Sequence, residues 1–133
     1  MILIVLLVLA LFFVQTFLPN RFREPGKPGE PSELAVALGP RDHQRPLTVF
    51  GGRASRALAN LQEALPVFLA LALLNLIVGT AAVMAITGGW VFLIARLVYL
   101  PIYLMGIPGL RTLAWIGSWV GLVMMLLPLL DRI

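Results

Sequence analysis

Four polar side chains recur at helical spacing in a central segment that is otherwise apolar. Spaced three, four and three residues apart, they are Arg53, Arg56, Asn60 and Glu63. On an α-helix they fall within one sector about 80° wide, so they form a single polar stripe. The stripe descends roughly 15 Å along the helix axis, which takes a carboxylate and an amide well below a membrane surface.

An ionisable residue inside a spanning helix costs at least about 2.5 kcal/mol, so Glu63 is expected to face protein or a wet cavity and to have a counter-charge. A second stripe, formed by Arg96, Tyr99 and Tyr103, repeats the helical spacing. If the two helices are antiparallel, Glu63 and Arg96 lie at the same depth. We therefore expect these two residues to pair.

Two interpretations of the stripes remain open. An ion pair between Glu63 and Arg96 would hold the bundle together, as polar residues commonly do between spanning helices. However, the arginine, asparagine and tyrosine donors far exceed what one carboxylate requires. The planar guanidinium of arginine can donate two parallel hydrogen bonds to a carboxylate. The surplus of donors therefore favours an anionic ligand.

Arg111 follows the breaker sequence of residues 106–109, at the expected start of the last helix. Free backbone N–H groups and the positive end of the helix dipole favour an anion at this position, and Thr112 could add a hydroxyl donor. The alternative is that Arg111 is an ordinary cationic anchor at the head of a spanning helix.

Composition identifies a multi-pass membrane protein. Of the 133 residues, 60% are hydrophobic and 12% are charged, whereas about a quarter are charged in soluble domains. The absence of cysteine excludes disulfides, thiolate metal sites and a cysteine nucleophile. With one histidine, His43, no metal site is expected. The net charge of +4 is attributed to membrane orientation rather than nucleic acid, because the basic residues stand at helix ends and in one loop.

Hydropathy and helix breakers predict an all-α fold, an integral membrane four-helix bundle. Pro19 is expected to end the first helix. A break at Gly79 and Thr80 is preferred to one at 87–89, because it gives two spans of about 25 residues. The predicted elements are helix 1 at about 1–19, a loop at 20–52, helix 2 at about 53–78, helix 3 at about 81–105 and helix 4 at about 110–130.

The loop at 20–52 has two possible roles. The sequence PGKPGEP at 25–31 is not helical, whereas ELAVAL at 33–38 favours a short helical or interfacial turn. The loop is either a lid over the polar stripe or a solvated linker whose arginines fix the topology. Its Lys and Arg content predicts that it is cytoplasmic and that both termini lie on the outer side.

These motifs resemble the MAPEG family, the membrane-associated proteins in eicosanoid and glutathione metabolism. The resemblance covers about residues 53–121 and rests on RxxRAxxNxxExxPxF, RxxYxxxYxxG and the following arginine. It implies a homotrimeric bundle, with glutathione bound between subunits on the cytoplasmic side. It also implies that Arg111 activates the thiol and that the peptide is held by Arg56, Asn60, Glu63, Arg96, Tyr99 and Tyr103. Arg53, which belongs to the same polar stripe as Arg56, is included in the predicted binding site.

The leading functional hypothesis is therefore a glutathione-dependent transferase or peroxidase that acts on a lipophilic electrophile entering from the lipid bilayer. The resemblance favours a bacterial type of member, which places the protein in the inner membrane. The alternative is a non-catalytic multi-pass assembly or lipid-binding protein, in which both stripes serve only helix packing.

Overall fold

The computed structural model describes residues 1–40, 44–79 and 83–132. The regular elements in these ranges are helices, and one isolated β-bridge joins Arg23 to Leu47. Four helices have the length and hydropathy needed to cross a membrane. The prediction of an all-α membrane four-helix bundle is confirmed. In chain order the helices are α1 (Ile2–Arg21), α2 (Glu33–Leu38), α3 (Val49–Ile77), α4 (Val83–Met105) and α5 (Pro108–Leu130).

The prediction that α1 ends at Pro19 was wrong, because the helix continues to Arg21. A proline removes its own N–H donor but leaves its carbonyl free to accept. Here the Phe22 N–H donates to the Pro19 carbonyl at 3.2 Å and closes the last turn. A proline so near the end of a helix therefore disturbs few hydrogen bonds.

Helix α3 begins at Val49, four residues before the predicted start at 53. Thr48 is its N-cap, and the hydroxyl oxygen accepts a hydrogen bond from the Gly51 N–H at 3.1 Å. Such a cap satisfies one of the free N–H groups of the first turn. Gly51 has a further role, because a Cβ there would collide with the Phe22 carbonyl at the end of α1.

The remaining helix ends lie close to the glycines. Helix α3 ends at Ile77 and is followed by Gly79, whose φ of +68° favours glycine. Residues 87–89 lie inside α4, so the chain turns at the first of the two positions considered. Thr80, Ala81 and Ala82, where helix 3 was expected to begin, lie outside the described residues, as do Arg41, Asp42 and His43. Helix α5 starts at Pro108, two residues earlier than predicted, with proline in its first turn.

The core lies between α1, α3 and α4 and extends to α5. Phe68 of α3 and Phe92 of α4 stack with ring centres 4.6 Å apart. Asn75 of α3 donates to the Met125 carbonyl of α5 at 2.9 Å. The buried apolar cluster consists of Ile4, Val8, Leu11, Leu61, Ala64, Phe68, Ala72, Phe92, Leu93, Leu122 and Met125.

Helices α4 and α5 cross closely at Gly88 and Gly121. Replacing Gly121 by alanine is expected to lower the free energy of unfolding by about 1–3 kcal/mol. The new Cβ would lie 2.7 Å from the Gly88 carbonyl oxygen and 2.7 Å from the Phe92 nitrogen. Both are backbone atoms, which cannot rotate away from the new Cβ as a flexible side chain can. Chemical unfolding in mixed micelles, followed by circular dichroism, measures this loss.

Gly117→Ala is the matched control for this crossing, because its Cβ would lie an ordinary 3.6 Å from the Ala95 Cβ. We expect this variant to be neutral, or more stable by up to about 1 kcal/mol, because alanine favours the helix. Equal stabilities of the two variants would contradict the close crossing.

The first and last parts of the loop are held together by two arginines. Arg23 donates to the Arg45 carbonyl and to the Gln44 side chain. Arg45 forms an ion pair with Glu30 at 3.4 Å and donates to the Pro31 carbonyl at 2.7 Å. These contacts fold the described part of the loop against itself.

Candidate functional site

The guanidinium of Arg96 lies at the centre of the candidate site, where α4 meets α3. Only 1% of Arg96 is exposed. Its Nη1 donates to the Asn60 side-chain oxygen at 2.7 Å. Its Cζ lies 5.3 Å from the ring centre of Phe92 and 5.6 Å from that of Tyr99, one turn before and one turn after it on α4. Cation–π attraction to both rings offsets part of the cost of burying the charge.

Arg96 nevertheless has unused hydrogen-bonding capacity. Its Nε and Nη2 are buried and have no hydrogen-bond partner among the residues that the structure describes. An unpaired buried donor costs about 1–3 kcal/mol, so a folded protein rarely retains several without a reason. A guanidinium with free N–H groups matches a carboxylate, which can accept two parallel hydrogen bonds.

The prediction of a direct ion pair between Glu63 and Arg96 was wrong. Among the described residues Arg96 bonds to Asn60, and Glu63 is exposed on α3. Asn60 and Glu63 occupy successive turns of one helix face, and the amide oxygen takes the position next to Nη1. An exposed carboxylate within a membrane-spanning helix is costly unless it has a partner.

Three aromatic and cationic groups continue from Arg96 towards the end of α4. The Tyr99 ring lies 5.3 Å from the Tyr103 ring, and the Arg111 guanidinium of α5 lies 5.2 Å from the Tyr103 ring centre. Tyr99 is buried, Tyr103 is partly buried and Arg111 is exposed. The structure thus brings five predicted site residues into one line of contacts, from Asn60 through Arg96 and the tyrosines to Arg111.

Arg53 and Arg56 lie outside this line. Arg53 donates from Nη1 to the Leu104 carbonyl at 2.9 Å, and its guanidinium packs where a Cβ on Gly106 would lie 2.7 Å away. It therefore caps the end of α4, because the last carbonyls of a helix lack partners within it. Arg56 is exposed, near Gly52.

Sequence reasoning assigned no role to Phe92 or Gln15, which the structure places in buried positions. Phe92 precedes Arg96 by one turn, and an aromatic residue at that spacing was the available signal. Gln15 is the one strongly polar residue of the first apolar run, yet it was given no partner. The hydroxyl donor expected from Thr112 is already used, because it donates to the Pro108 carbonyl at 3.2 Å.

The chain matches the model of a known protein family. This is the MAPEG family, and the match covers residues 1–130. No curated protein matches the chain. The match includes α1 and the long loop, which lie outside the region of the sequence motifs. Since it extends over nearly the whole chain and agrees with the four-helix architecture, the protein belongs to the MAPEG family.

Proposed function

We propose that this protein is a glutathione-dependent membrane enzyme, a transferase or peroxidase that acts on a lipophilic electrophile. The observation that carries the proposal is the buried Arg96 guanidinium, which has two unpaired nitrogen donors. These donors, next to Tyr99 and in line with a cation at the helix end, fit a peptide that carries carboxylates. The family is associated with glutathione in general, which supports the same ligand.

Glutathione supplies a thiol that serves as nucleophile or reductant. In the proposed site, the protein's own residues bind and orient the peptide. Arg96 offers its Nε and Nη2 groups to a carboxylate, and Asn60 holds the guanidinium in place through Nη1. The full set of residues proposed to hold the peptide is Arg53, Arg56, Asn60, Glu63, Arg96, Tyr99 and Tyr103.

Arg111 is the proposed catalytic residue. Its guanidinium is exposed and lies against the Tyr103 ring at the start of α5. A fixed positive charge favours an anionic sulfur over a neutral one, and it raises the fraction of the nucleophile present near neutral pH. The first turn of α5 adds the positive end of the helix dipole. No side-chain cap occupies its N-terminal N–H groups.

The proposed assembly is a homotrimer. Arg56 and Glu63 are exposed on α3 within the membrane-spanning part of the protomer, where lipid cannot pair with them. A neighbouring subunit would cover both residues and close the site. Native mass spectrometry from lipid nanodiscs measures the assembly, and a uniform monomer would contradict it.

The proposed orientation places residues 20–52 in the cytoplasm and both termini outside, in a bacterial inner membrane. The Lys and Arg residues near the helix ends support this orientation. Fusion of reporters that are active on one side of the membrane to each terminus measures it. A cytoplasmic C-terminus would overturn the orientation.

Calorimetric titration of purified protein with reduced glutathione tests the ligand. We expect saturable binding below millimolar concentration and competition by S-methylglutathione, which keeps both carboxylates but lacks a free thiol. Glutathione consumption in the presence of a panel of lipophilic electrophiles and hydroperoxides then tests the reaction. Absence of binding at millimolar concentration would favour the alternative, a non-catalytic membrane assembly or lipid-binding protein.

A further inference from the structure

In the described part of the chain, Gln15 is a second buried side chain with an unpaired polar atom, its Oε1. It lies in the buried stripe of α1 and continues the row formed by Ile4, Val8 and Leu11. Only 2% of it is exposed, and its Oε1 is enclosed without a hydrogen bond. A buried amide oxygen without a partner destabilises the folded protein. The proposed function, as argued from Arg96, leaves this side chain unexplained.

Gln15 lies near the level of the Asn60 to Arg96 hydrogen bond. The end of α1 is fixed to the start of α3, because the Phe22 carbonyl packs against Gly51. From this point Gln15 lies about 10 Å down α1, and Asn60 lies about 14 Å down α3. The two residues therefore differ in depth by less than one helical turn.

The apolar core also ends at this level on two helices. The next buried residue on α1 after Leu11 is Gln15, and the next buried residue on α4 after Leu93 is Arg96. Both helices pack against α3 and contact each other. The unpaired atoms are chemically complementary: Arg96 supplies donors on two nitrogens, and Gln15 supplies one acceptor oxygen.

We infer that Gln15 is a further ligand-binding residue, which recognises the α-amino-acid end of the peptide from the side of α1. This inference rests on the proposed function. The carboxylate of that end accepts hydrogen bonds from Nε and Nη2 of Arg96, while its ammonium group donates to Oε1 of Gln15. A carboxylate alone would leave the Gln15 oxygen without a partner. Because these atoms are enclosed, entry of the ligand displaces the Tyr99 ring that covers the guanidinium.

Gln15→Leu tests this assignment through affinity and stability together. The variant should raise the Kd for glutathione roughly 10- to 150-fold, the loss expected for one hydrogen bond to a charged group. Its melting temperature should stay equal or rise, because leucine removes an unpaired amide from the protein interior. Gln62→Leu, at an exposed position of α3, is the matched control and should leave the Kd for glutathione unchanged.

A glutathione analogue without the α-amino group identifies the atom that Gln15 recognises. Wild type should bind this analogue more weakly than glutathione, and Gln15→Leu should not weaken it further. If Gln15→Leu binds glutathione as tightly as wild type, or weakens both ligands equally, the inference is wrong and the proposed function stands. If wild type binds neither ligand, the proposed function is wrong and the inference falls with it.

Discussion

Replacing Arg111 by alanine is expected to lower the turnover of a glutathione-dependent reaction roughly 100-fold or more, the usual effect of removing one group that stabilises a developing negative charge. Glutathione affinity should stay within about twofold of wild type, because the guanidinium acts on the charged sulfur rather than on the peptide frame. The exposed position of Arg111, held only against the Tyr103 ring, also predicts little loss of stability. Steady-state kinetics, calorimetry and the ultraviolet difference absorbance of the thiolate measure these effects.

Two further variants separate this catalytic role from that of a membrane anchor. Arg111→Lys keeps the positive charge, so it should restore much of the thiolate absorbance although the flat guanidinium is lost. Arg132→Ala removes an exposed arginine just beyond the end of α5 and should leave turnover unchanged. If Arg111→Ala retains both the thiolate signal and the rate, Arg111 is only an anchor.

The architecture was readable from the sequence because few structures satisfy a backbone in lipid. Apolar runs long enough to cross a membrane must be helical unless they form a closed barrel. Four such runs, separated by glycine and proline, therefore fixed the number and order of the long helices. The short α2 at Glu33–Leu38 was also anticipated, because ELAVAL lacks the prolines that surround it.

The helix ends were harder to predict, because they depend on individual hydrogen bonds. The N-cap at Thr48 extends α3 to Val49, and the Phe22 N–H to Pro19 carbonyl bond extends α1 to Arg21. A rule that treats proline and glycine as breakers misses both. Each end is decided by which group is free to satisfy a terminal N–H or carbonyl.

Helical spacing predicted which site residues share a face, but it did not predict which residues touch. Arg96, Tyr99 and Tyr103 do lie along one face of α4, and Asn60 meets Arg96 across the interface. The expected Glu63 to Arg96 pair does not form, because Asn60 faces Arg96 across the helix interface whereas Glu63, one turn further along α3, is exposed. Side-chain length and helix crossing, which a sequence does not contain, decide between them.

Replacing Asn60 by leucine is expected to be the most destabilising single change in the polar layer. The buried Arg96 guanidinium would lose its hydrogen bond to another helix, and its charge would be stranded among apolar groups. Losing a hydrogen bond to a buried charged group costs about 1.5–3 kcal/mol. Denaturant unfolding in a lipid–detergent mixture, at fixed protein concentration, measures the loss.

Arg96→Met is the variant with which Asn60→Leu is compared. Methionine has a similar length and no charge, so the free energy of unfolding of this variant should be equal to or higher than that of wild type. The double variant Asn60→Leu/Arg96→Met should recover most of the stability lost by Asn60→Leu alone, because no charge remains to be stranded. A double variant no more stable than Asn60→Leu would contradict this account of the layer.

The same variants separate stability from ligand binding. Arg96→Met should fold well yet lose glutathione binding at millimolar concentration, because the unpaired Nε and Nη2 donors are removed with the charge. If Arg96 only stabilises the helix bundle, glutathione affinity should rise and fall with the free energy of unfolding in all three variants. If Arg96 binds the ligand, the most stable variant does not bind glutathione and is inactive, which is expected when a buried charge is retained for function.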